Sequence, residues 1–244
     1  MSSLKIWVHD YRDHDHQPTG PIISPWLESP TDLPRADYAG FRAHYMVWKT
    51  GLKSDLVGFF AYRNYLWDRA WCDIPVGGPG SANVQHAQNW RAAGSEAFNQ
   101  YRSFLSHWDG EQIKKDLESC DILQSAPYHL SPGKTILQDF GSSGSAKDHQ
   151  ALEEVTTKYG FAAFATIKLY HWLFITRWEI FDRMMTELEP LRLELHDRCT
   201  GADSNNGNYK RRVMDYVVER LYPLWLLKSG LNFKEVIELR NGAY

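Results

Sequence analysis

Apolar and polar positions follow two different periods along the first 70 residues. The short apolar runs LKIWV (residues 4–8) and LVGFF (residues 56–60) have the length and residue types of buried strands. Between them, aromatic residues recur every three or four positions from Tyr38 to Trp48, which predicts a helix ending at Gly51. Because strand, helix and strand alternate in α/β folds, we expect the two strands to be neighbours in one sheet.

The rest of the chain continues this alternation of strands and helices, with longer helices. Helices are predicted over residues 95–108, 111–119, 149–160, 177–198 and 209–229, the fourth of them bent or broken at Pro190. Strands are predicted at CDILQSA (120–126), IKLYHWLFIT (167–176) and FKEVIEL (233–239). The prediction is a single α/β domain with a mixed sheet flanked by helices. Its core covers residues 1–175, and a helical C-terminal part, residues 176–244, packs on it.

Composition narrows the classes of function. The 244 residues carry a net charge of −3. Proteins that bind nucleic acid need a positively charged surface, so this charge argues against nucleic acid as a partner. Three separated cysteines without a CxxC argue against a disulfide framework or a zinc knuckle. The first ten residues lack the pattern of a signal peptide, and no apolar run is long enough to span a bilayer. We therefore expect a cytoplasmic protein.

Polar residues follow several of the predicted strands, where α/β proteins bind their ligands. These places are residues 10–12, 62–64, Asp121 with its following loop, and the region of residues 170–176. Among them, the guanidinium of Arg63 offers a rigid donor fork that matches phosphate oxygens. On spacing alone, a structural ion pair of Arg63 with Asp55 or Asp68 is the favoured interpretation.

Two further segments invite a functional interpretation. The loop DYRDHDH (residues 10–16) offers carboxylates and imidazoles to a divalent metal, and it is the basis for an alternative prediction of metal-dependent phosphotransfer. Such runs are more often solvated. The glycine-rich DIPVGGPGSAN (residues 73–83) has neither the dinucleotide fingerprint nor the lysine of a P-loop.

The order of five motifs resembles a known family. The motifs are AHYMVWKT (43–50), DLVGFFAYRNYL (55–66), CDILQSA (120–126), WLFITRWEIFDRM (172–184) and ERLYPLWLL (219–227). They resemble a bacterial family first described as a domain of unknown function, whose members carry HYRRY at the second motif. Its members occur in capsule, exopolysaccharide and O-antigen gene clusters and are regarded as glycosyltransferases. The chain departs from the family pattern at Gly40, Ala61, Asn64 and Trp172.

The resemblance implies a GT-A-like fold and a transferase that uses a nucleotide-diphosphate-sugar donor. Its acceptor would be a glycan or a lipid-linked saccharide in surface-polysaccharide synthesis, which allows a peripheral association with the membrane. Donor-binding residues would be Asp10, Tyr11, Tyr62, Arg63, Asn64 and Arg220. The candidates for the catalytic base are Asp121, Asp148, His171 and Glu219, and the sequence does not choose among them.

The resemblance also implies chemistry without a metal. Metal-dependent GT-A enzymes end the comparable strand in Asp-x-Asp, whereas this chain has Tyr62, Arg63 and Asn64 there. A fixed guanidinium would neutralise the leaving diphosphate, so no metal cofactor is expected, with Mn²⁺ or Mg²⁺ as the alternative. A non-catalytic nucleotide- or glycan-binding protein on the same fold is the alternative function, and the departures at Gly40 and Ala61 favour it.

Overall fold

The structure of the protein is a computed structural model. It describes residues 3–9, 20–26, 41–61, 64–73, 91–93, 95–125, 127–130, 132–141, 145–161, 166–169, 172–205, 207, 210 and 212–241. The predicted site residues Asp10, Tyr11, Tyr62, Arg63 and His171 lie outside the described residues, as do the two loops at 10–16 and 74–83.

Strands and helices alternate along the described chain. The strands are β1 Leu4–His9, β2 Ile23–Trp26, β3 Leu56–Ala61, β4 Asn64–Trp67, β5 Arg91–Ala93, β6 Ile122–Ser125, β7 Tyr128–His129, β8 Ile167–Lys168, β9 Phe174–Arg177 and β10 Phe233–Asn241. The helices are α1 Arg42–Thr50, α2 Ser95–Leu105, α3 Glu111–Ser119, α4 Ile136–Gly141, α5 Ala146–Lys158, α6 Trp178–Arg198 and α7 Val213–Ser229.

Eight of the strands form one mixed sheet. Strand β1 lies between β2 and β3 and is parallel to both. Strand β3 turns back into β4, which pairs with β10; β10 pairs with β6, β6 with β9, and β9 returns to β3. Five strands therefore form a closed ring of pairings. The rule that ligands bind beyond the carboxyl ends of strands is stated for open sheets, so it describes this closed sheet only approximately. The pairing of β1 with β3 confirms that LKIWV and LVGFF are neighbours.

The apolar segment at residues 167–176 is not the single strand that its sequence predicts. It divides into β8, which pairs with β7 in a separate ribbon, and β9, which belongs to the main sheet. Between them Trp172 takes a φ of 49°, a left-handed conformation that an extended strand cannot contain. The strand prediction is wrong here because a continuous apolar run does not report a single left-handed residue.

The C-terminal part of the chain contributes to the sheet as well as to the helical layer. Helices α6 and α7 form most of residues 176–244, and α6 continues through Pro190 rather than breaking there. However, β10 lies inside the sheet, where its first half pairs with β6 and its second half lies between β4 and β5. The predicted division into an α/β core and a helical part therefore does not describe the sheet, while a single domain stays a prediction.

The core lies on both faces of the sheet. Phe59 and Phe174 point to the face covered by α1, α6 and α7, whereas their neighbours Phe60 and Ile175 point to the face covered by α2 and α3. This follows from the alternation of side chains along a strand. Helix α1 ends where the sequence predicts, because Gly51 has a φ of 65° and its N–H is donated to the carbonyl of Trp48.

Candidate functional site

The carboxyl ends of several parallel strands lie on one edge of the sheet. Strands β1, β3 and β6 run in the same direction, while β4 and β9 run the opposite way and begin at this edge. Helix α7 runs away from the edge, because the chain after it enters β10 at Phe233, which pairs with Ile122 at the start of β6. The first turns of α7 are therefore near the carboxyl edge, which is where a ligand site is expected.

The turn between β3 and β4 is anchored by a buried polar pair. Ala61 and Asn64 pair directly across the two intervening residues. The Nδ2 of Asn64 donates a hydrogen bond to Oε1 of Glu238 on β10. Both side chains are buried, Asn64 at 5% and Glu238 at 1% exposure. The ends of the segment that carries Tyr62 and Arg63 are thus fixed by strand pairing and by a buried hydrogen bond.

A second group of contacts holds the start of β9. Trp172 is buried and its indole Nε1 donates to the carbonyl of Val218 on α7, at 3.1 Å. Its own carbonyl lies 2.9 Å from Nε2 of His44 on α1, and the His44 ring stacks on Phe59. A left-handed non-glycine residue costs about 1 kcal/mol or more and persists where its surroundings over-determine it. Trp172 follows His171 directly, so the backbone that leads to this candidate base is fixed on its C-terminal side.

Arg220 is buried beneath two carboxylates. Its guanidinium is 1% exposed and contacts Oε2 of Glu219 at 3.1 Å and Oδ2 of Asp139 on α4 at 3.2 Å. It also donates to the carbonyl of Tyr216. A charged dipeptide within an amphipathic helix is by default a surface ion pair, whereas the guanidinium of Arg220 is enclosed. Two carboxylates already neutralise it, which favours a supporting role over direct contact with a donor phosphate.

Glu219 and Asp139 are the exposed ends of this cluster. Their side chains keep 24% and 19% exposure, and Lys134 lies 3.7 Å from the other oxygen of Asp139. Three residues after Glu219 on α7, the Tyr222 hydroxyl donates to Gln124 on β6 at 2.8 Å. Since a helix rises about 1.5 Å per residue, Glu219 lies about 4.5 Å beyond that contact along the α7 axis, towards the carboxyl edge. Of the four candidate bases, Glu219 is the described residue placed near this edge.

Burial controls the chemistry of Tyr222. The phenol is fully enclosed, and this desolvation raises the pKa of Tyr222 well above its usual value. The hydroxyl is thus held neutral and acts as a hydrogen-bond donor to Gln124 rather than as an acid or base.

Asp121 lies on the opposite edge of the sheet. It directly precedes β6 and forms an ion pair with Arg177, the last residue of β9. Its second carboxylate oxygen accepts the backbone N–H of Asn232 at 3.0 Å. The prediction placed Asp121 at the end of a strand, whereas the strand follows it. This position separates Asp121 from the carboxyl ends of β3 and β6, and gives no support for a role as the base.

Asp148 is an internal cap between helices. It lies in the first turn of α5 and is 1% exposed. Its two oxygens accept the backbone N–H groups of Thr200 at 3.0 Å and Gly201 at 2.9 Å, in the chain that leaves α6. Its own N–H is donated to the N-cap Ser145. The carboxylate is therefore occupied by structural hydrogen bonds, which favours a role in stability over proton transfer.

The described part of the chain contains no group of three or more His, Cys, Asp or Glu side chains that could hold a metal ion. The acidic and histidine-rich loop at residues 10–16 lies outside the described residues. The expected independence of a metal, and the Mn²⁺ or Mg²⁺ alternative, are therefore predictions that the structure does not test.

Sequence reasoning missed two carboxylates of this region. Glu238 lies within the apolar strand sequence VIEL, where a charged residue between apolar neighbours was a usable signal of a buried polar contact. Asp139 lies outside the predicted helices and strands, and its contact with Arg220 joins positions 81 residues apart. No local pattern reveals such a contact.

None of the helices in the described ranges is long and apolar enough to cross a membrane. The protein has a mixed α/β fold with polar groups near the carboxyl edge of its sheet. The chain belongs to the family described as "Domain of unknown function (DUF4422)", which matches residues 35–230.

The fold is similar to that of a solved structure, the WbbM bifunctional glycosyltransferase in its apo form. The two share 21% sequence identity with a TM-score of 0.70, and the match covers 99% of this chain and 46% of WbbM. This chain therefore spans less than half the length of that protein. No curated protein matches the sequence.

Proposed function

We propose that the protein is a glycosyltransferase that moves a sugar from a nucleotide-diphosphate-sugar donor to a glycan or lipid-linked acceptor in surface-polysaccharide synthesis. The observation that carries this proposal is the likeness of nearly the whole chain to part of a bifunctional glycosyltransferase. A GT-A-like description of the fold belongs to the same proposal, because the mixed sheet and its flanking helices are consistent with it.

The polar groups at the carboxyl edge support this function. Inverting transfer needs a donor site that stabilises a leaving diphosphate and a base that takes the acceptor proton. The paired residues Ala61 and Asn64 fix both ends of the segment that contains Arg63, the proposed diphosphate ligand. Glu219 lies near the same edge, partly exposed and held by Arg220. Arg63 is proposed as the electrostatic catalyst and Glu219 as the base, with His171 as the other candidate for the base.

A non-catalytic binding protein is the second proposal. It is favoured by Ala61, which stands where the family motif has a histidine and therefore lacks its side-chain chemistry. Both functions predict binding of a nucleotide sugar, and only the enzyme breaks the bond between the sugar and the diphosphate.

A screen of nucleotide sugars by thermal shift tests both proposals. A ligand at a hundredfold its Kd stabilises the folded protein by about 2.7 kcal/mol, which raises Tm measurably. We expect one or a few uridine, guanosine or thymidine diphosphate sugars to raise Tm, and the same compounds to be slowly hydrolysed. Binding without hydrolysis or transfer would favour the binding protein, and the absence of any shift would refute both.

A further inference from the structure

Glu238 is a buried carboxylate to which the proposed mechanism assigns no role. It lies opposite Leu66 of β4 in the second half of β10, and only 1% of it is exposed. Burying a carboxylate is costly unless it is well hydrogen-bonded, and an apolar residue would suit a central strand better. The hydrogen bond from Asn64 is the contact that gives this placement a functional meaning.

The chemistry of the pair fixes the orientation of the Asn64 amide. Because Nδ2 of Asn64 donates to Oε1 of Glu238, the NH₂ end of the amide faces the carboxyl group and the carbonyl oxygen is turned away from it. Within the described chain, the bond to Glu238 is the one hydrogen bond that the Asn64 side chain makes. Its carbonyl oxygen is thus left as an oriented acceptor at the first residue of β4.

We infer that Glu238 is a positioning residue that orients Asn64, so that the Asn64 carbonyl oxygen accepts a hydrogen bond from a hydroxyl of the bound nucleotide sugar. This inference rests on the proposed function. Asn64 would contact the donor and contribute to its recognition, and Glu238 would act through Asn64. The register supports the pairing, because Asn64 lies opposite Arg240 and Glu238 lies opposite Leu66, which places the two side chains diagonally on one face.

The first experiment frees the orientation of the Asn64 amide without removing its hydrogen bond to the side chain at position 238. In Glu238→Gln, the new amide at position 238 can accept from Asn64 or donate to it, so the Asn64 amide is free to turn over. We expect the donor KM to rise about tenfold with kcat little changed, because one oriented hydrogen bond is lost. The matched control is Glu235→Gln, an exposed glutamate on the same strand, which should leave KM unchanged.

The second experiment exchanges the two groups. The double variant Asn64→Asp with Glu238→Gln keeps one carboxylate and one amide in the pair, but the amide at position 238 now donates inwards. The new carboxylate at position 64 again presents an acceptor oxygen towards the donor. We expect this variant to recover the KM of the unmodified protein, which a purely structural pair would not require.

The assay uses the nucleotide sugar that gives the largest Tm shift with the unmodified chain among uridine, guanosine and thymidine diphosphate sugars. An unchanged KM in Glu238→Gln overturns the inference. A double variant that folds but has a KM above that of the unmodified protein overturns the inference too. This second test also applies if Glu238→Gln alone fails to fold. If no nucleotide sugar binds the unmodified chain, the proposed function fails, and this result is distinguishable from the other two.

Discussion

Arg177 and Asp121 form an ion pair that joins the end of β9 to the start of β6, on the edge of the sheet away from the carboxyl ends of β3 and β6. The same guanidinium donates to the carbonyls of Leu117 and Cys120, and Thr176 donates to the carbonyl of Asp121. The sequence marks Asp121 as a candidate base, whereas these contacts give it the role of a clamp between two strands.

If Asp121 acts only as this clamp, its replacement should lower the stability of the protein without lowering its turnover. Asp121→Asn removes the charge that pairs with Arg177, and the two side chains are about 30% exposed. Because solvent screens such a pair, we expect the free energy of unfolding to fall by only about 1 kcal/mol. Turnover per folded molecule should not change. Chemical denaturation and a donor assay measure the two quantities, with Glu118→Gln on the exposed surface of α3 as the control; a stable variant with lost turnover would restore Asp121 as a catalyst.

Asp148 gives a stronger prediction of the same kind. Asp148→Asn replaces one of the acceptors of the Thr200 and Gly201 N–H groups with an NH₂ group, which sets two donors against each other inside the protein. We expect unfolding to become easier by about 1–3 kcal/mol, since a buried donor is left unsatisfied. The exposed Glu153→Gln on the same helix should have little effect on Tm. A variant as stable as the original, but inactive, would contradict the structural role.

The thiol of Cys199 should be inert in the folded protein. Burial, with the nearby Asp148 carboxylate, raises the pKa of Cys199 from 9.0 to about 12. At pH 8 the group is protonated and enclosed, so labelling with an aromatic disulfide should follow unfolding, whereas the half-buried Cys72 should react first. Because the folded pKa is raised, this group favours folding below about pH 9 and loses that contribution as the pH rises towards 12. Labelling of Cys199 as fast as Cys72 under native conditions would contradict this placement.

The parts of the fold that follow from sequence are those that depend on local pattern. The runs at residues 4–8 and 56–60 predict β1 and β3 because strands enclosed on both faces are short and continuously apolar. Helix α3 has the predicted bounds because its apolar positions and its flanking Gly110 are both local signals. The left-handed turn at Trp172 is different, since His44 and Val218 stabilise it from 128 and 46 residues away.

The residues of the candidate site also divide into those that local sequence reveals and those that depend on distant contacts. The rule that ligands bind beyond strand ends singled out residues 62–64 from sequence alone, and the structure gives that segment firmly paired ends. Glu238 could not be assigned a partner from sequence, because its hydrogen bond joins it to Asn64, 174 residues away. Asp121 was misplaced because the sequence does not show where within CDILQSA the strand begins.

Activity is expected without a divalent metal. The prediction rests on Tyr62, Arg63 and Asn64 standing where metal-dependent GT-A enzymes have Asp-x-Asp. Donor hydrolysis or transfer should therefore continue in excess chelator. If activity disappears in chelator and returns with Mn²⁺, the prediction is wrong, and the loop at residues 10–16 becomes the first place to look for the ligands. Asp13→Asn and His14→Ala would then be the variants to examine.

The last prediction concerns Arg63. If its guanidinium binds the donor diphosphate, it makes charge-assisted hydrogen bonds that strengthen as the leaving group gains charge. Arg63→Ala should lower turnover about a hundredfold or more, by analogy with the loss of one donor to an oxyanion. Arg63→Lys keeps the charge but loses the fork, so it should not restore turnover. Tm should remain near that of the original protein in both variants.

The alternative assigns Arg63 to a structural ion pair, and the described contacts of its two candidate partners limit that alternative. Asp68 is held by Lys234 at 3.1 Å, and Asp55 accepts hydrogen bonds from the backbone N–H and hydroxyl of Ser3. Those Ser3 hydrogen bonds also lower the pKa of the Asp55 carboxyl. A structural Arg63 would give variants that lose Tm while keeping turnover per folded molecule. A stable Arg63→Ala protein with undiminished turnover would remove Arg63 from the site, and with it the main reason to regard the turn between β3 and β4 as catalytic.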